Sequence, residues 1–223
     1  MLRIHGRFAG GLSWQPAPGE LLERSSTALG AEGRVWLIDP LRASGIEDQI
    51  AALGKVAGVV ITFGLHDRDA DWFAARYGVP VYGHPSLRLA GVRSPVVHVE
   101  GRVPDSLLLI VTCPGRGPLR WWRETAIWWP EMRTLVTGDA IGTAAYFPLP
   151  GREVAVHPVR WLSPPIELRP LPAERLHPGH GRSVTSGAAQ QIARALDRAR
   201  KELASAWWHA FKTAARYYTR RRR

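Results

Sequence analysis

An α/β fold is predicted by the alternation of strand-like runs and short helices along residues 34–85 of this 223-residue chain. Three observations carry it. Val56 to Thr62 is a run rich in β-branched residues, typical of a strand buried on both faces. Ahead of it, Ser44-Gly-Ile-Glu47 has the form of a capping box, with Ile46, Ile50 and Leu53 at helical spacing and Gly54 as the stop. Val59 to Pro85 then repeats the unit: a strand, a turn holding His66, Asp67, Arg68, Asp69 and Asp71, a short helix ended by Gly78, and a second strand over Val79 to Tyr82. Reactive side chains set at a strand end by a tight turn are how many α/β sheets build a site.

The remaining elements follow in order. Ser26 to Pro40 reads as two strands joined by a turn around Gly30–Gly33, the second ending near Asp39. Val96 to Val99 and Leu107 to Thr112 are expected strands, and Cys113-Pro-Gly-Arg-Gly-Pro118 a turn. Leu119 to Trp129, with Trp121, Trp122, Trp128 and Trp129, reads as one strand; adjacent tryptophans point to opposite faces, so both faces are covered and packing is favoured over ligand binding. Arg133 to Thr137 is a further strand, ending at Gly138-Asp139. Residues 148–172 are Pro-rich with a short strand at Val154–Val156, and Leu176-His-Pro-Gly-His-Gly181 is another strand-end turn. Gly187 to Tyr218 is expected as one helix, with Ile192, Leu196, Leu203, Trp207, Phe211 and Tyr218 near one stripe.

An apolar content of 45% is enough for a substantial core. Residues 1–187 are expected to form the folded body and 188–223 an amphipathic basic helix with an arginine tail, packed on the same domain. The charge is uneven. Ten of the basic residues and only Asp197 and Glu202 fall in 188–223, so the body is near balance within a total of +11. That placement is unlike a globally basic nucleic-acid-binding domain. One cysteine, Cys113, excludes a disulfide framework. With no apolar run long enough for a bilayer and no signal-peptide pattern in MLRIHGRFAGG, a cytoplasmic location is expected. Asn is absent and Arg outnumbers Lys by 27 to 3, a bias of composition that does not point to a function.

Five landmarks in order resemble the metallo-β-lactamase-fold hydrolases over roughly residues 1 to 200: Ile38-Asp39-Pro40, the strand-turn-helix after Thr62, the Pro114-Gly115-Arg116 turn, Thr137-Gly138-Asp139 and Gly179-His180-Gly181. The resemblance implies a four-layer αβ/βα sandwich, two mixed sheets face to face with helices outside. It also implies a two-metal site, and here that site is degenerate. Laid on Thr62, the family's Thr-His-x-His-x-Asp-His motif puts Phe63, Leu65 and Arg68 where histidines belong and keeps only Asp67. Arg116 replaces a further histidine. Of the usual seven ligands, Asp67, Asp139 and His180 remain.

Phe63 and Leu65 donate nothing to a metal. The first position keeps Asp139 alone; the second keeps Asp67, Asp139 and His180, a set able to hold one hard or borderline divalent ion such as zinc, manganese or iron. His66, one residue off the motif, adds a fourth ligand if the turn is reshaped, and is a catalytic candidate with Asp67, Asp139 and His180. Arg68 and Arg116 favour the opposite outcome: guanidinium–carboxylate bridges to Asp67 and Asp139 replacing the missing cations, with no cofactor.

The duller readings stand beside these. His66 is expected as an exposed turn histidine and His180 as equally a backbone-bonding turn residue. His177 is expected to be structural, His84 and His157 surface or loop residues, Asp39 an acceptor for turn amides, and Cys113 a buried inert thiol. Three functions follow: a member that has lost most metal ligands and is non-catalytic or strongly altered, a single-metal hydrolase of an ester, thioester or phosphoester, or a protein bound to an anionic membrane or nucleic acid through 188–223. Partners are a small molecule or protein, that anionic surface, or a second copy.

Overall fold

A computed structural model describes residues 2–16 and 20–221, with side chains through Thr219. Of the four arginines that end the chain, Arg222 and Arg223 lie outside the described residues.

The larger sheet has seven strands in sequence order: β1 Arg3–Phe8, β2 Gly11–Gln15, β3 Ser26–Ala31, β4 Arg34–Ile38, β5 Lys55–Ile61, β6 Val81–Gly83 and β7 Val96–His98. β1 to β4 pair antiparallel and β4 to β7 parallel. The parallel part needs crossovers, supplied by α1 (Ile46–Ala51) and α2 (Ala70–Tyr77). The second sheet is built from β8 Leu109–Thr112, β9 Thr125–Trp129, β10 Thr134–Thr137 and β13 Arg175–Pro178, in the order β13-β10-β9-β8. β10 and β13 run parallel. A two-stranded ribbon, β11 Ile141–Gly142 with β12 Ala155–Val156, sits between. Helices α3 (Ala188–Arg198) and α4 (Leu203–Arg221) close the chain.

The layers follow from the period-2 alternation of side chains along the strands. Trp36 and Ile38 of β4 pack with Ile127 and Trp129 of β9 and Val136 of β10 in the core between the sheets. Val35 and Leu37 face the other way, onto Ile46, Ile50, Phe73 and Ala74 of α1 and α2. Ala126 and Trp128 of β9 likewise face outward, under Ile192, Ala195 and Leu196 of α3. The result is helix, sheet, sheet, helix, the sandwich the motifs imply. Trp128 and Trp129 lie back to back on one strand with both faces covered, as the adjacent pair predicts.

One element was not anticipated and three expectations need correction. An N-terminal hairpin precedes the first expected strand; β1 is a half-exposed edge strand with a bulge at Gly6, so its alternation is weak. Ser44 does not cap α1, because left-handed Gly45 occupies the cap and no side chain bonds there. The tryptophan-rich strand starts only at Thr125: Trp121 and Trp122 follow a 3₁₀ turn (Gly117–Leu119), with Trp121 exposed and Trp122 buried. The last helix is two helices broken at 199–202; Ile192 and Leu196 dock, whereas Trp207, Phe211 and Tyr218 face solvent.

Candidate metal centre

Every residue of the site sits just past the end of a strand: Asp39 after β4, Thr62 and His66 after β5, Asp139 after β10, His180 after β13. Both parallel pairs, β4/β5 and β10/β13, run toward this edge, so the two sheets deliver their loops to one crevice. The sheets are stitched beneath it, where the Thr125 amide donates to the Thr62 carbonyl at 2.8 Å. Two glycines permit the close approach. A Cβ on Gly138 would lie 2.7 Å from Thr62 Oγ1, and one on Gly179 would lie 2.8 Å from the Gly138 carbonyl oxygen. That is the physical content of the Thr-Gly-Asp and Gly-His-Gly motifs.

Three donor atoms converge. Asp139 Oδ1 lies 2.7 Å from His180 Nε2 and 3.1 Å from His66 Nε2, and the two Nε2 atoms are 3.3 Å apart. Each imidazole is oriented from behind. His66 Nδ1 donates to Asp39 Oδ2 at 2.9 Å, and His180 Nδ1 donates to the Leu22 carbonyl at 2.7 Å. Asp39 is fixed in turn by the Thr62 amide at 2.8 Å and the Thr62 hydroxyl. Outer partners of this kind set the tautomer and aim the free nitrogen of metal-binding histidines. Ligands at about 2.0–2.2 Å in tetrahedral array stand about 3.3–3.6 Å from one another, so the 2.7 Å contact of Asp139 with His180 opens slightly when an ion is seated. The spacing and donor chemistry of His66, Asp139 and His180 are therefore compatible with one divalent ion.

The set differs from the expected one by a residue, and His66, expected as an exposed turn histidine, is buried. His66 takes the place given to Asp67. The turn closed by the His66 amide on the Phe63 carbonyl tucks His66 inward, while Asp67 accepts from the Arg68 amide at 2.8 Å and packs against Gly91. Arg68, left-handed at φ 42°, sends its guanidinium into the crevice. There it meets carbonyls rather than carboxylates: NH1 donates to Ser25 and Asp39, NH2 to Gly179 at 3.1 Å, and NH2 lies 3.3 Å from His66 Nε2. Its Nε is buried without a hydrogen-bond partner among the described residues. Arg116 is not in the site at all; it pairs with Glu167 at the surface. The bidentate arginine–carboxylate bridges to Asp67 and Asp139 are absent among the described residues, because one guanidinium faces backbone and the other faces outward.

Burial opposes ionisation of Asp39 and Asp139, but His66 and the surrounding donors outweigh it and hold both below the usual carboxylate range. For His66, burial and Arg68 pull the pKa down while Asp139 and Asp39 push it up, leaving it at about 9. His180 goes the other way: burial lowers it more than Asp139 raises it. Without an ion, His66 is held protonated between two carboxylates while burial pulls His180 toward its neutral form, in which Nε2, its Nδ1–H being given to Leu22, meets Asp139 Oδ1 lone pair to lone pair.

Aromatic rings wall the site. Phe63 stacks on Trp122 with centroids 4.8 Å apart, and Phe147 stacks on His180 at 6.0 Å. His157 is a loop residue, as expected, following β12, but it is half-buried rather than at the surface: it packs against Trp122, Tyr146 and Phe147, and desolvation lowers its pKa to about 4. Glu124 lies just behind, accepting from Trp122 Nε1 and the Ala140 amide, and burial together with Asp139 raises it to about 7. Of this wall the sequence flags Phe63 through its motif position and Trp122 through the tryptophan-rich stretch; Phe147 and Glu124 carried no signal. His177 is structural, bonded to Ser13 and Ser183, and Cys113 is buried with its thiol pushed well up, chiefly by desolvation.

The chain has the metallo-β-lactamase fold. FIM-1 metallo-β-lactamase from Pseudomonas aeruginosa, in a mono-zinc form, superposes with TM-score 0.64 at 12% identity over 91% of this chain and 96% of that one. TMB-1 superposes at 0.63 with 15% identity over 90% and 97%, and DIM-1 metallo-β-lactamase at 0.62 with 15% over 89% and 97%. No protein-family model and no curated protein matches the sequence. On this fold the present chain carries an incomplete, three-donor cluster.

Proposed function

We propose that this protein is a hydrolase dependent on one divalent ion held by His66, Asp139 and His180, cleaving an ester, thioester or phosphoester. The observation that carries the reading is the pairing of inward Nε2 atoms with outward Nδ1–H bonds to Asp39 and the Leu22 carbonyl, an arrangement with no evident use in a purely structural cluster. Bound there, such an ion supplies Lewis acidity and a water nucleophilic near neutral pH. Asp39 orients His66, the Phe63–Trp122 stack shields one side from water, and the Arg68 guanidinium adds positive charge where a reacting anion would be stabilised.

A second reading keeps a specific observation behind it. Asp39 and Asp139 are already balanced by protonated His66 and by Arg68, so the crevice is neutral with no ion, as a non-catalytic member of the fold would require. Metal content of the purified protein by mass spectrometry separates the two. About one equivalent, lost in Asp139→Ala, together with chelator-sensitive hydrolysis of generic ester or phosphodiester substrates, supports the hydrolase; no retained or added metal refutes it.

A further inference from the structure

The exposed face of α4 is the strongest feature that the metal centre does not use. One side of this helix is docked: Ala206 is buried, Trp207 Nε1 donates to the Pro158 carbonyl at 2.8 Å, and His209 Nε2 bonds the Ala145 carbonyl at 2.9 Å. The solvent side carries Trp208, Phe211 and Tyr218 at 59%, 65% and 58% exposure, and Trp207, at the edge nearest the docked side, is 56% exposed while its Nε1 reaches back to Pro158. At 100° per residue these four, with Ala204 and Ala215, fall within an arc of about 100°. Four large aromatic side chains in one solvent-facing stripe are far more than the scattered apolar residues normal at a surface.

We propose that this face of α4 lies on the surface of an anionic lipid bilayer. Lys212 and Arg216 are exposed and lie along one flank of the stripe, Lys201 is exposed in the turn just before the helix, and no acidic residue occurs from Leu203 to Arg221. Aromatic rings beside Lys and Arg on one helix are the composition of helices that rest in the headgroup region. The helix rests there rather than crosses, since none among the described residues is long and apolar enough to span. Charge also selects against the rivals. A second copy would bring like-charged flanks together, and a nucleic acid would meet an apolar stripe where it needs cations. Lys212 already sits 5.0 Å above the Trp208 ring, and Trp208 stacks with Phe211, so the stripe is preformed.

The test is co-sedimentation of the full chain with vesicles of phosphatidylcholine with and without phosphatidylserine, at low and high salt. Binding is expected only to the phosphatidylserine vesicles and is expected to weaken with salt. Lys212→Gln with Arg216→Gln is expected to lower the affinity about 30-fold. Trp208→Ala, Phe211→Ala and Tyr218→Ala together should abolish it while leaving the melting temperature unchanged, Trp207 being kept for its bond to Pro158. Absence of vesicle binding overturns the proposal. So does binding that both variants retain, tighter binding to an oligonucleotide than to the vesicles, or a dimer in sedimentation velocity that the aromatic variant dissolves while vesicles are ignored.

Discussion

Zinc uptake by the metal-free protein should rise steeply with pH, and the slope counts the protons displaced. Of the three donors, Asp139 is held ionised and His180 is pushed toward its neutral form, so neither gives up a proton near neutrality. His66 does, because Asp139 and Asp39 hold its pKa at about 9. An ion arriving at pH 7 must displace that proton across two units, a penalty of about 3 kcal/mol, or about a hundredfold in affinity. The apparent dissociation constant should therefore fall about tenfold per pH unit between pH 6.5 and 9 and then level off. Titration against a competing chelator, corrected for the chelator's own protonation, measures the slope. Calorimetry at pH 7.5 in two buffers of different ionisation enthalpy should show about one proton released per ion. A flat profile, or release of none, would refute the placement of His66 as both cation and ligand.

Asp39→Asn removes one of the charges that sustain the His66 proton, so the levelling-off should move to lower pH; the buried bonds around Thr62 weaken as well, and thermal melts should show a loss of about 1–3 kcal/mol. Asp67→Ala should leave metal stoichiometry unchanged while Asp139→Ala abolishes it, which mass spectrometry reads directly. In the metal-free protein the His66 proton also stabilises the fold: a pKa raised from 6.5 to about 9 contributes about 3 kcal/mol in full below pH 6.5 and loses it as pH rises through 9, so denaturation midpoints should fall across that window. Phe73→Ala empties the fully buried space under α2 and should cost about 3–5 kcal/mol by urea unfolding.

The fold was legible wherever local chemistry and burial agreed. β4, β5 and α2 announce themselves through alternation, a buried apolar run and the left-handed Gly78. Asp139 and His180 were legible because their motifs carry glycines that the geometry demands. His66 was half legible: counting from Thr62 assigns the position to Asp67, and only the turn closed on Phe63, with Arg68 at positive φ, rotates its neighbour inward. Asp39 was read as an acceptor for turn amides. It does accept the Thr62 amide, but its second oxygen holds a histidine 27 residues away. The Leu22 carbonyl and the Phe147 wall come from long-range packing that no local pattern encodes.

The two Nε2 atoms that meet at 3.3 Å belong to residues 114 positions apart, one delivered by each sheet. The second sheet brings Asp139 and His180 and the first brings only His66, so the full three-donor set exists only when the two halves have closed, and occupancy reports on that closure. An ion gripped there acts as a clasp, lifting the unfolding midpoint by an increment set by its concentration relative to its dissociation constant.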